Sequence, residues 1–433
     1  MRALLSLLLV LSLAALPAQA QTPRAEPTPE AFRADALSIE ALVNAQYAYL
    51  DRFRDGAMPM SSSLRAEAEA VNDRRSLLRY AEQAVAALAD HHAITGGSFN
   101  DSWALTPSYS DLWIEAEGAI WRITAVREGS PAAAAGVRAG DSLTAVGGTP
   151  TSEAVAAFWA DLGLEPAGDR AGYAARVLAA GRRDRSRDLT IRDRTGAEHR
   201  LTLPNLYTTR PADRPPVSTH QSGDALIIRI NDSLGDSATL AAFDAVMAGV
   251  RPDQTVVLDL RDTASGGNTV VARGIMGWFV DEARSYQVHR LPAEERETGV
   301  PRQWVEQVLP RPGKRHHGPV TVRVGRCTGS MGEGLAVGLD SLGADVVGDR
   351  VQLRADELGR QLVHGGHRDG ALRGQRDERA HPVRARGGEG LQVRLDARPA
   401  AGVGCRDRQH AWNHSTPFAG PNRIRFDGCD LSP

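Results

Sequence analysis

The residues of this chain best placed to do chemistry lie in one short turn, Cys327-Thr328-Gly329-Ser330-Met331-Gly332. Val320, Val322 and Val324 precede it as a buried strand, and from about Glu333 the apolar positions Leu335, Val337, Leu339 and Leu342 predict a helix. A serine where a strand turns sharply into a helix has an exposed hydroxyl, and the first N–H groups of the helix can hold a developing oxyanion. That pattern suits a nucleophile for acyl transfer. It suits a helix cap equally, because Ser330 with Glu333 three residues on also fits a capping box. The turn alone leaves both roles open.

A nucleophile needs a base to take its proton and N–H donors for the oxyanion. The base candidates are His91 and His92, in Asp90-His91-His92-Ala93 just past a helical stretch. Histidines there can also simply complement the negative end of the helix dipole. Lys314 is the only lysine, so any other catalytic lysine is excluded. The second donor candidate is the glycine pair Gly266-Gly267, at the end of the apolar strand in QTVVLDLRDTASGGN. Loops at the C-terminal ends of parallel strands share a crevice, so the Gly267 and Met331 N–H groups would face one substrate carbonyl. The three cysteines, Cys327, Cys405 and Cys429, match no metal or redox spacing. Cys327 reads as a small buried residue of the turn. No metal or other cofactor is expected.

The elements that must position these residues follow from the rest of the chain. Its 433 residues leave room for two or three domains, and a net charge of −2 argues against a dedicated nucleic-acid binder. Residues 1–20 read as a signal peptide: an Arg, an apolar run too short to span a membrane, then Ala18-Gln19-Ala20. A periplasmic or secreted protein without an integral membrane segment after cleavage is the expectation. A helical N-terminal region covers 21–107, with a disordered leader over 21–35 and helices at about 38–53 and 62–89. A β-rich domain covers 108–205, with a helix near 152–161 and a strand pair over 188–204. A Pro/Thr/Arg-rich linker covers 206–222. Strand–helix alternation over 223–350 predicts a layered α/β core with a mostly parallel sheet, interrupted by a polar surface excursion at 281–317. Residues 351–433 lose apolar periodicity and become rich in Arg, Gly and His, and no Ile occurs between Val351 and Ile424. Such a tail reads as disorder or as the product of a shifted reading frame.

Two strings carry family resemblances. GSPAAAAGVRAGDSL (129–143) resembles the PDZ domains of exported bacterial proteases, which take up extended peptides, often at a free C-terminus, by adding them to a sheet edge. VVLDLRDTASGGNT and RCTGSMGEGLAVGLDSLGADVVGD resemble the two motif segments of the S41 peptidases, the C-terminal processing and tricorn protease family. The likeness covers about residues 85–350. It implies a ClpP/crotonase-like α/β core with a helical lead-in and an inserted PDZ-like domain, and serine endopeptidase activity on unfolded or C-terminally exposed polypeptides. It puts Ser330 at the nucleophile position and Gly267 and Met331 at the oxyanion positions, with Gly266 and Glu333 in support. No lysine follows Ser330, so the lysine-dependent branch is excluded. The tricorn-like branch has a His in a polar-His-Ala setting, which implies His92 as base with His91 beside it. The carboxylate that orients the base falls, in the family, within the atypical tail. Two other readings remain: an inactive PDZ-type peptide binder on a protease scaffold, and a crotonase-type acyl-CoA enzyme, which the signal peptide and PDZ-like insert oppose.

Overall fold

The computed structural model describes residues 27–209 and 214–348 and the backbone of 423–424. The expected signal peptide lies outside the described residues, as does nearly all of the atypical tail. The chain is a mixed α/β protein with helices and several sheets.

Three helices lead in. Helix α1 (Pro29–Gln46) starts at Thr28, whose hydroxyl accepts the Ala31 N–H, and buries Ala36, Ile39 and Val43 at helical spacing. Residues 29–35, expected as part of a disordered leader, are therefore helical. The helix expected over 62–89 is two: α2 (Ser62–Ala70) and α3 (Arg74–Ala86). Asp73 breaks it, because its carboxylate accepts the Ser76 N–H while Ser76 Oγ accepts the Asp73 N–H. Such a box starts a helix and cannot be accommodated inside one. After α3 the chain passes His91 and His92 into the short strand β1 (Ile94–Thr95), which pairs in parallel with the backbone of Arg423–Ile424.

The next sheet contains β2 (Leu112–Glu117), β3 (Ile120–Val126), β4 (Ser142–Val146), β5 (Thr149–Pro150), β6 (Arg187–Arg192) and β7 (Glu198–Leu203), along the path β2-β3-β4-β6-β7 with β5 on β4. Strands β2 and β3 form a hairpin turning at Gly118, whose φ is +61°. Helices α4 (Pro131–Ala134), α5 (Thr151–Ala160) and α6 (Asp169–Ala180) accompany the sheet, α6 packing on β2. Helix α6 has no counterpart among the elements expected from the sequence. One apolar cluster joins the lead-in helices to this sheet, with Ile39, Leu77, Leu88, Ile114, Ile123, Trp159 and Leu189 among its buried members. Each such side chain contributes roughly 1.5–3 kcal/mol.

A second cluster lies in the α/β part. Strand β8 (Val217–Ser222) runs antiparallel to β9 (Ala225–Ile230), within the stretch expected as linker. After helix α7 (Ala238–Met247) come β10 (Val256–Asp259) and α8 (Thr269–Met276). The expected surface excursion is instead a hairpin, β11 (Arg284–Arg290) and β12 (Gln303–Val308), with α9 (Pro292–Thr298) at its tip. Its Tyr286, Val288 and Val308 are buried. Strand β13 (Val320–Val324), helix α10 (Met331–Ser341) and strand β14 (Asp345–Gly348) complete the unit, with sheet order β14-β13-β10-β9-β8. Strands β9, β10, β13 and β14 are parallel, as expected. Their continuous apolar runs are what a sheet covered on both faces requires. Strands β10 and β13 are neighbours, so the loops after them emerge side by side.

Candidate active site

Those two loops are tied together by their own backbones. Thr263 N–H donates to Cys327 O (3.1 Å), Gly329 N–H to Thr263 O (3.3 Å), and Thr328 Oγ to Leu260 O (2.8 Å). Ser330 follows, half-buried, at the N-cap of α10. Its N–H donates to the Glu333 carboxylate (2.9 Å), so the capping role foreseen as the alternative is present.

A cap does not need the backbone that Ser330 has. Thr28, Ser61, Asp73, Ser130 and Asn268 cap their helices in the usual extended conformation, with φ between −150° and −80°. Ser330 has φ 51° and ψ −116°. A left-handed serine costs on the order of 1–3 kcal/mol and persists only where the surroundings impose it. Here they do. Gly266, itself at φ +68°, lies so near that a Cβ on it would sit 2.5 Å from Ser330 Cβ and 3.3 Å from Met331 N. Next to it, a Cβ on Gly267 would overlap Leu234. The glycine pair thus packs between Ser330 and the loop after β9. Among the described residues, neither the Gly267 nor the Met331 N–H donates to a partner. Two amides left free beside a serine hydroxyl can stabilise charge on a carbonyl oxygen.

The histidines differ from each other. His91 Nε2 accepts from Arg176 Nε (2.9 Å), so its Nδ1–H is the donor to Thr106 Oγ1 (2.5 Å). The ring stacks on Tyr173 at 4.6 Å. Burial, together with the Arg176 charge, holds its pKa well below the ordinary value. His91 is therefore a packed, neutral residue with both nitrogens engaged. His92 donates its backbone N–H to Asp90 Oδ1 (2.8 Å) and is half-buried. Among the described residues, no hydrogen bond joins its ring to Ser330. Cys327, near the site, has its thiol pushed up to about 11, chiefly by burial, so it is protonated at neutral pH.

Sequence reasoning missed the charged joint beneath this site. Arg127, between β3 and α4, donates to Asp262 (2.8 Å) and Asp232 (2.7 Å) in the loops after β10 and β9. Burial pushes the Asp262 carboxyl up, but Arg127 and Arg214 outweigh it and hold the group below the usual range. Arg326, four residues before Ser330, pairs with Glu115 on β2 and lies over the Trp113 ring. These residues sit on unrelated stretches, and only the fold brings them together.

Strand β2 forms one edge of its sheet. Ile123 uses its N–H and C=O on the β4 side, with Asp141 and Gly140. Its partner across the ladder, Ile114, therefore faces the open edge of β2. Asp111 O accepts from Arg127 N–H on the β3 side, so by alternation Leu112 also faces outward. The Leu112 and Ile114 carbonyls are taken. Ser110 Oγ donates to Leu112 O (3.1 Å) and Arg176 Nη1 to Ile114 O (3.0 Å).

Comparison with known proteins agrees on one unit. Residues 122–158, from β3 to α5, match the PDZ domain family model. A search of curated proteins finds no match. Among solved structures, the photosystem II D1 C-terminal processing protease is 17% identical over 74% of this chain and 82% of its own, with a TM-score of 0.43. Mature CPAF is 14% identical over 74% and 84%, with a TM-score of 0.45. The tricorn protease is 16% identical over 74% of this chain and 30% of its own, with a TM-score of 0.29. These are distant likenesses to proteases.

Proposed function

We propose that the protein is an exported serine endopeptidase of the tricorn-like S41 type, acting on unfolded or C-terminally exposed polypeptides in the periplasm or outside the cell. Ser330 is the nucleophile and His92 the base, with the Gly267 and Met331 amides as the oxyanion donors. His92 takes the Ser330 proton as Oγ attacks the scissile carbonyl, then returns it to the leaving amine. Water hydrolyses the acyl-enzyme by the same route. The PDZ-like domain (108–205) recruits substrate ahead of the core (223–350). The observation that carries the reading is the left-handed Ser330, wedged by Gly266 beside two free amides.

The test is cleavage of an unstructured polypeptide by the purified mature protein. The wild type should cleave it, and Ser330→Ala, with an unchanged thermal transition, should not. Equal cleavage by both would refute the assignment. One observation favours a second reading, a peptide-binding protein without catalysis: no described hydrogen bond links the His92 ring to Ser330. Peptide binding with no turnover in the wild type would select it.

A further inference from the structure

The glycine loop that faces Ser330 is held from beneath by one carboxylate. Asp232 lies at the turn after β9. Its Oδ1 accepts the Ser265 N–H (2.7 Å), and its Oδ2 accepts both Ser265 Oγ–H (2.9 Å) and Arg127 Nη2 (2.7 Å). Its own N–H donates to Asp262 O (2.7 Å), which anchors it to the loop after β10. Asp232 is left-handed, with φ +54°, a region that Asp visits more readily than most residues. The same stretch grips the glycine loop further on. Asn268 N–H donates to Leu234 O (3.1 Å), Asn268 Nδ2 to Gly235 O (3.3 Å), and Gly267 packs on Leu234.

The consequence follows from the order of residues. Ser265 is bonded to Asp232. Gly266 is the next residue and touches Ser330, and Gly267 after it carries one of the free amides. An oxyanion hole works only when its donors are fixed before the charge appears, at about 2.7–3.1 Å from the oxygen. Gly266 and Gly267 have no side chains with which to hold themselves. We infer that Asp232 is a positioning residue of the active site, which fixes the Gly266–Gly267 loop against Ser330 through its paired hydrogen bonds to Ser265. This rests on the reading of Ser330 as nucleophile. Arg127 completes the device: it neutralises the carboxylate and ties it to Asp262.

The experiment is the kinetics of labelling by a fluorophosphonate probe, whose phosphonyl oxygen occupies the same hole as a substrate oxyanion. Varying the probe concentration separates probe binding from phosphonylation. In Asp232→Ala, the phosphonylation rate should fall tenfold or more while the concentration for half-saturation stays within about twofold. Asp232→Asn, which retains an acceptor for the Ser265 N–H, should recover at least threefold of that loss. A residue that only stabilises the fold would not split the two parameters, nor be rescued in this way. Phosphonylation by Asp232→Ala within twofold of wild type overturns the inference. Should Asp232→Ala fail to fold, amide exchange in the wild type decides: a protected Ser265 amide supports the inference, and exchange at the free-chain rate overturns it. Absence of labelling at Ser330 in the wild type is a different result. It removes the nucleophile reading, and this inference with it.

Discussion

The Ser330 turn and the β2 edge are two places proposed to meet a polypeptide, and they treat their polar groups in opposite ways. At the turn, the Gly267 and Met331 amides are left without partners among the described residues, and the backbone is held in a costly conformation to present one hydroxyl. At the edge, the outward carbonyls of Leu112 and Ile114 are already satisfied by Ser110 and Arg176. An unpaired sheet edge invites strand addition, and here the chain itself occupies two of its carbonyls. The difference teaches that the site proposed for chemistry is prepared in this state, whereas the site proposed for recruitment must first release a side chain. Arg176 is also the donor to His91 Nε2. Opening the edge therefore unsettles the histidine packed behind it.

Three changes probe that contrast. The largest effect is expected from Gly266→Ala. The new Cβ would collide with Ser330 and force an alanine to adopt φ +68°, and a displacement of about 1 Å at a reacting centre costs on the order of 100-fold in rate. Peptide hydrolysis should fall by about that factor while peptide binding to the 108–205 unit is unchanged. Hydrolysis at the wild-type rate would show that the turn is not wedged as described.

A smaller effect is expected from Arg176→Ala. Freeing the Ile114 carbonyl removes a competitor worth about 1 kcal/mol, so an extended peptide should bind roughly fivefold more tightly. Titration of a fluorescent peptide checks this, and weaker or unchanged binding would mean that the edge is not the docking site. The smallest effect is on stability against pH. His91 is held neutral in the folded protein, its pKa depressed below the ordinary 6.5, so the unfolded chain takes up its proton first as the pH falls. The contribution is fully present above about pH 6.5 and is lost below it, with a slope of on the order of 1 kcal/mol per pH unit. Denaturant melts at pH 7.5 and 5.5 should show a shallower loss for His91→Gln than for wild type. Equal slopes would mean that His91 is not the buried neutral group described.

Much of this site was legible in the sequence because it is built from contiguous words. The strand–turn–helix around Ser330, the apolar strand ending at Gly266-Gly267 and the Gly/Asp turns of the PDZ-like string each hold their signal within a few residues, where turn chemistry and periodicity act. The supports beneath it were not legible. Asp232, Arg127 and Arg176 occupy ordinary strand-end and helix positions, and their meaning comes from pairings across 105, 135 and 85 residues of chain. The surroundings of His91 were not legible either. Beside His92 this residue reads as a partner in catalysis, yet Arg176 and Thr106, both distant in sequence, occupy its two nitrogens. The stretch 281–317 reads as surface because its charges outnumber its apolar residues, although Tyr286 is fully buried against the core.

The central claim is that Ser330 is an activated nucleophile, and mapping the residue modified by a fluorophosphonate probe on the purified mature protein tests it most directly. The account predicts a single adduct on the peptide that contains Ser330, absent from Ser330→Ala. An unmodified Ser330 in the folded wild-type protein would contradict it.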